Sequence, residues 1–398
     1  MKRIATTIGL VALGTGAATA GGIDRSGQNI SILFEQGRYA EFSFSHSRPE
    51  VSGTDSPLVA PNGVVVAPGG GSSGDVAKNF SQFGFAFKSD VNERLSYAVI
   101  YDEPFAADIE YGPGSFNLAT PDNGGTVAKA HAHALTALLR WKFDENFSIH
   151  GGLRAQQADG HIALRGAAYQ NPFLPPGTPG SEGFNGYDVD LKRDWAPGYV
   201  VGVAYERPEI ALRVALTYQS SIKHEFDTYE SGAGVAPGES VTEVKTPQSV
   251  NLDFQTGIMA DTLLFGQVRW VKWSEFLVDP QNFLSNPLSS GEGLIGLDNT
   301  ITYTLGVGRK FNDTWSGAAS VSYEQKDNHL ISPLAPTNGR LGLTLAAIYT
   351  QDNMKITTGV NYTTLGRAAP ETGTPDTARA DFRDNDALSA GVKVGFAF

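Results

Sequence analysis

The chain has 398 residues, with 42 acidic and 30 basic side chains, a net charge of −12, 46 glycines, 22 phenylalanines and no cysteine. Acidity without a Lys/Arg-rich tract excludes a nucleic-acid partner, because phosphate neutralisation supplies that affinity, and the lack of cysteine removes any thiol nucleophile or disulfide framework. The length would hold two or three soluble domains, yet no linker divides it, and one large unit is expected.

At the N-terminus, Lys2 and Arg3, an apolar stretch from Ile8 to Leu13 and the small residues Ala18-Thr19-Ala20 stand in the order of a secretory signal. Cleavage is expected after Ala20, leaving residues 21–398. No later segment reaches the roughly 20 consecutive apolar residues of a spanning helix, so a helical membrane protein is excluded. Residues 21–38 lack alternation and mix Asp24, Arg25 and Gln28 with Ile30, Ile32, Leu33 and Phe34. A disordered tail is the ordinary reading of a terminus, but the Ile30–Phe34 cluster favours a small plug.

From residue 39 onward the chain repeats segments of alternating apolar and polar residues, about fourteen in all, each near the roughly 9–11 residues of a membrane-crossing strand. In Leu212-Arg213-Val214-Ala215-Leu216-Thr217-Tyr218-Gln219, the apolar Leu212, Val214, Leu216 and Tyr218 share one face and Arg213, Thr217 and Gln219 the other. Val250, Leu252 and Phe254, then Ile301, Tyr303, Leu305 and Val307, then Leu388, Val392, Val394, Phe396 and Phe398 repeat this. Short connections with turn-forming or charged residues fall at residues 89–93, 144–146, 207–209, 260–261, 312–313 and 351–353. Long ones fall near 48–78, 103–125, 166–192, 225–245, 276–297, 325–338 and 366–385. A soluble sandwich shares the period of two, but its outer faces would then expose apolar patches far above a few hundred Å². The expected fold is therefore all-β: a transmembrane antiparallel β-barrel (39–398) of about 14 strands, with residues 21–38 as a hatch in its lumen, short turns in the periplasm and long loops outside.

Glu103-Pro104 and Gly112-Pro113-Gly114 interrupt the third strand, and proline removes a ladder donor, so a gap in the wall is expected there, an ordinary loop being the alternative. For ligand lining, the second long loop offers Phe105, Ile109, Tyr111, Phe116 and Leu118, the third offers Tyr169, Phe173, Leu174, Phe184 and Tyr187, and the plug offers Phe34. Gly70-Gly71-Ser72-Ser73-Gly74 matches G-x-S-x-G without the strand-to-helix elbow that exposes a nucleophile. His131 and His133 share a strand face but do not complete a zinc site; lining the lumen is their other reading. Asp188 with Asp190, and Asp384 with Asp386, read as solvated loop charge. No catalytic residue, metal or cofactor is expected.

Several motifs carry a resemblance. Lys245-Thr246-Pro247-Gln248-Ser249-Val250-Asn251-Leu252 followed by Gln267-Val268-Arg269-Trp270-Val271-Lys272-Trp273-Ser274-Glu275-Phe276, the run Asp194-Trp195-Ala196-Pro197-Gly198-Tyr199, and Tyr101-Asp102-Glu103-Pro104-Phe105 together resemble the outer-membrane long-chain fatty acid transporter family of the FadL/TodX type. The resemblance implies a monomeric 14-stranded barrel plugged by an N-terminal hatch, with an inner apolar site and a kinked third strand opening a lateral hole. Its partners would be a long-chain fatty acid or other hydrophobic molecule, and outer-membrane lipid with lipopolysaccharide. Two departures stand out. The family's Asn-Pro-Ala hatch motif is replaced by Phe34-Glu35-Gln36-Gly37, and a basic residue of strand five falls on Asp159, leaving Arg154, His161 and Arg165 as candidate carboxylate partners. Passive fatty-acid uptake is the leading expectation. Aromatic hydrocarbon uptake, a general porin and a lipid hydrolase are the alternatives.

Overall fold

The computed structural model describes residues 23–60, 63–122, 124–175, 177–289, 291–326, 330–373 and 376–398. The expected signal peptide and Gly21 and Gly22 lie outside the described residues. Seventeen hydrogen-bonded segments form one sheet that closes on itself, and because three strands are each interrupted once they make fourteen strands. In chain order these are Tyr39–Glu50, Phe80–Asp90, an interrupted third (Leu95–Asp102 and Ala106–Glu110), Val127–Lys142, Phe147–Leu164, Tyr187–Arg207, an interrupted seventh (Leu212–Gln219 and Ile222–Ser231), an interrupted eighth (Gly238–Thr246 and Ser249–Met259), Thr262–Val271, Thr300–Lys310, Trp315–Glu324, Arg340–Gln351, Met354–Leu365 and Asn385–Ala397. Strand fourteen pairs antiparallel with strand one, from Tyr39 opposite Ala397 to Glu50 opposite Asp386, which closes the barrel.

Alternation sets the two faces. Leu216 is 46% exposed on the outside, whereas its neighbours Arg213, Thr217 and Gln219 are buried inside. Large exposed apolar side chains on nearly every strand, such as Leu139, Leu153, Leu305 and Leu345, form the belt that hydrocarbon would cover. Phe42 against Phe85, Phe147 against Tyr205 and Trp315 against Tyr349 are cross-strand aromatic pairs on that outer face.

Strands four to eight rise well beyond a membrane crossing at the long-loop end. The segment 225–245, expected as a loop, continues strand seven to Ser231 and resumes strand eight at Gly238. Its pattern inverts because this part of the wall stands above lipid: Lys223, Glu225 and Asp227 face out while Phe226 and Val244 are buried. The same register corrects the lumenal reading of His131 and His133. They lie on the outward face with Leu135 and Leu139, His131 beside Asp159 and His133 beside Tyr101 and Glu103.

Long-loop segments pack into the barrel mouth around Tyr111, Tyr187, Phe283 and Phe382. Glu230, fully buried at the top of strand seven, accepts the Tyr187 hydroxyl and the backbone N–H groups of Asn282 and Phe283, at 2.8–2.9 Å, holding the short helix Gln281–Ser285 against the wall. Replacing it with alanine leaves those donors buried without an acceptor, a cost of roughly 1–3 kcal/mol for each unsatisfied group. Glu230→Ala is expected to render residues 276–297 sensitive to external protease while the barrel keeps its heat-modifiable gel mobility. Unchanged resistance would contradict the role of this carboxylate.

Candidate transport path

The N-terminal segment 23–38 supplies the interior with much of its polar bonding. Asp24 and Arg269, 3% and 4% exposed, pair at 2.8 Å. Arg269 also donates to Asn251 and to Gln28 Oε1, Ser249 donates to Gln28, Gln219 donates to the Gln28 carbonyl, and Asn251 donates to that of Gly27. The turn that aims these groups places Gly27 and Gln28 in the left-handed region, at φ of 60° and 53°. Farther on, the 3₁₀ turn Ser31–Phe34 buries Ile32, Leu33 and Phe34. The Phe34 ring lies between the guanidinium groups of Arg140 and Arg213, each 4.6 Å from its centroid, with His150 edge-on.

Residues 23–26 run antiparallel to the break in strand three. Asp24 bridges Phe105, the Arg25 N–H donates to the Pro104 carbonyl, and the Ala106 N–H donates to that of Ile23. Ser26 donates to Asp102, whose carboxylate also takes Arg154 at 3.0 Å. Behind this short pairing the wall is incomplete. Strands two and three are in register only from Phe85 opposite Tyr101 to Asp90 opposite Ser96, so Phe80–Gly84 pairs with strand one alone. The Gln82 side chain reaches the Glu103 carbonyl, and the Phe83 N–H reaches the Glu103 carboxylate. At this break lies an open recess of about 100 Å³ bordered by Ser26, Gln82, Phe83, Asp102 and Glu103.

On the other side of residues 23–26 lies a cavity of about 80 Å³ lined by Ile23, Phe105, Ala132, Phe226, Val244 and Leu334, among others. It is almost wholly apolar. Thr246, at its edge, has its hydroxyl engaged with Gln156, and Lys129, His131 and Asp159 border it from positions whose side chains belong to the outer face. Above it, a vestibule of about 400 Å³ opens between the loops, with Leu277, Phe283, Leu294 and Ile331 in its walls together with Asp279, Glu292 and Glu371. No lysine or arginine lines this vestibule among the described residues. Burial pushes the Asp279 and Glu371 carboxyls above the ordinary range, with Asp376 and Glu292 adding to the effect on Glu371 against the pull of the Gly373 N–H and Arg379.

Of the residues singled out in the sequence, Phe105 lines the apolar cavity, and Ile109 packs in the same buried cluster. Phe116 and Phe173 are 54% and 68% exposed on the loops. Phe34 lies toward the short-turn end, among Arg140, His150 and Arg213. Arg154 is buried between Asp102 and Gln219, Arg165 pairs with Asp188, and His161 pairs with Asp190 on the outer face. Glu103 and Pro104 fall at the break. Gly112, Pro113 and Gly114 lie in the loop above it, packed against Ser72–Gly74. Ile23, Phe226, Val244 and Leu334 were not anticipated, because they come from four separate stretches that meet only when the barrel closes.

A family model described as outer membrane protein transport protein (OMPP1/FadL/TodX) matches residues 34–398. Among solved structures, the chain is similar to a Pseudomonas aeruginosa FadL homologue (TM-score 0.72, 16% identity, 97% of each chain covered). It is also similar to the Ralstonia pickettii toluene transporter TbuX (0.61, 14%, covering 96% of this chain and 92% of that one) and the Pseudomonas putida toluene transporter TodX (0.63, 11%, 97% and 98%). No curated protein matches.

Proposed function

The chain belongs to the OMPP1/FadL/TodX family of outer-membrane transport proteins, which carry hydrophobic small molecules, and from that premise we propose that its own cargo is a small uncharged hydrophobic molecule, a monoaromatic hydrocarbon ahead of a long-chain fatty acid. The observation that carries this reading is the apolar cavity between residue 23 and strands four to eight, whose bordering basic residues among those described, Lys129 and His131, belong to the outer face. A carboxylate head group buried there would need a partner; the nearby guanidinium groups of Arg154, Arg165 and Arg269 already bond Asp102, Asp188 and Asp24, and that of Arg25 lies against the Phe80 ring. The vestibule above presents acidic groups, which repel an anion. Size points the same way: a cavity of roughly 150 Å³ holds benzene, so a near doubling of this cavity of about 80 Å³ admits one ring, whereas a long acyl chain needs far more room.

In this reading the vestibule collects cargo, the cavity holds it, and residues 23–38 act as the hatch. Release runs sideways, through the break between Phe80–Gly84 and the kink at Glu103–Phe105, into the outer leaflet. Burying each methylene-sized group stabilises capture by roughly 0.8 kcal/mol, and no energy source is required for movement down a gradient.

The test is uptake of labelled toluene, palmitate and a small sugar by cells lacking their own hydrophobic channels. Toluene uptake that depends on this protein, with palmitate and sugar at background, is the expected result. Uptake of palmitate alone would return the cargo to fatty acids, and entry of sugar would make the barrel a porin.

A further inference from the structure

We propose that Arg25 is a specificity-determining residue of the lateral exit: its guanidinium latches strand two to strand three by stacking on Phe80, and an aromatic ligand releases the latch by taking that ring's place. The inference rests on the aromatic-cargo reading given above.

Phe80 stands in the stretch of strand two without a partner in strand three, between the pairing of Phe85 with Tyr101 and the bridge of Ala77 with Ile109 where contact resumes. Arg25 spans the difference. Its backbone N–H and its Nε donate to the carbonyls of Pro104 and Ala106 at 2.8 and 3.0 Å, on the strand-three side, while its guanidinium carbon lies 3.5 Å from the Phe80 ring centroid, on the strand-two side. The residue is 6% exposed, and its Nη1 has no hydrogen-bond partner. A guanidinium carries five N–H donors. With few of them engaged and water excluded, the aromatic face is a principal compensation for the buried charge, beside the fields of Asp108 and Asp24.

The position is also the partition of the path. Two residues before Arg25, Ile23 lines the apolar cavity, and one residue after it, Ser26 lines the recess at the break. On the proposed route, cargo moving between the two passes this segment and displaces the stack. A saturated ring of the same shape can fill the space but strips the cation of its π partner. An aromatic ring replaces Phe80 beneath the cation, so the exchange is close to neutral.

The experiment compares uptake of toluene and methylcyclohexane, with palmitate as a third cargo, by cells producing the wild type, Arg25→Lys, Arg25→Met or Phe80→Leu, each checked for a folded barrel by heat-modifiable mobility. The wild type and Arg25→Lys are expected to favour toluene by about thirtyfold, the size of a desolvated cation–π contact. Arg25→Met should bring the ratio near one. Phe80→Leu, which frees the cation but keeps it, should raise both fluxes with the preference retained. A wild-type ratio persisting in Arg25→Met, or a preference lost in Phe80→Leu, overturns the latch while leaving the cargo reading intact. Palmitate uptake without either hydrocarbon overturns the cargo reading, and the latch with it.

Discussion

Replacing Ala132 with phenylalanine is expected to abolish uptake of aromatic hydrocarbon while leaving the barrel folded in the membrane. Ala132 is buried on the inner face of strand four, its N–H donating to the Phe105 carbonyl, and it borders a cavity of about 80 Å³. A benzyl group placed there occupies the space a ligand ring would use. Overpacking costs typically 1–3 kcal/mol, which a closed barrel with every strand paired can absorb, so the loss should appear in transport and not in assembly. Ala137→Phe on the outer face of the same strand serves as control and should transport normally. Wild-type uptake by Ala132→Phe would show that cargo does not pass through this cavity.

The second large effect concerns residues 23–38, the proposed hatch. Arg269→Ala is expected to loosen residues 23–38 and raise the conductance of the barrel. The Arg269 side chain, 4% exposed, joins Asp24, Gln28 and Asn251 in one buried network, and removing one member of a buried ion pair costs roughly 3–5 kcal/mol because the other charge keeps its desolvation penalty. Single-channel conductance and entry of small hydrophilic antibiotics report it directly. The double variant Asp24→Asn with Arg269→Gln should leak less than Arg269→Ala, since it leaves no unpaired charge. Equal leak from both would assign the effect to lost packing.

Much of the wall was legible in the sequence because a period of two is a direct record of which side faces lipid. Leu212–Gln219 and Ile301–Val307 carry it without ambiguity, and Tyr39, expected as the start of the barrel, opens strand one. Legibility failed where the wall leaves the membrane: at residues 225–231 both faces of the strand become chemically ordinary, and Glu225 and Asp227 read as loop. It failed differently at His131 and His133, whose polarity suggested the lumen although their spacing from Leu135 and Leu139 already placed them outside. Of the path, Phe105 and the Glu103-Pro104 break are visible, because proline in a strand has few explanations. Arg25 is not, since a single arginine in a polar stretch looks solvated until Phe80 and Pro104 are brought to it. Nor can sequence reveal that Arg154, an obvious head-group candidate, is already engaged with Asp102 and Gln219.

The measurement that tests lateral release past the hatch most directly uses a chain without native cysteine. Asp24 and Phe105 face one another as an antiparallel bridge, which places Ile23 opposite Ala106 within the roughly 4.5–5.5 Å between Cα atoms that such pairs show and a disulfide accepts. With Ile23→Cys and Ala106→Cys installed together, oxidation should stop toluene uptake and reduction should restore it, while each single variant stays insensitive to redox conditions. Undiminished uptake by the oxidised double variant would contradict the account, because cargo would then be crossing without moving residues 23–26 from the break in the wall.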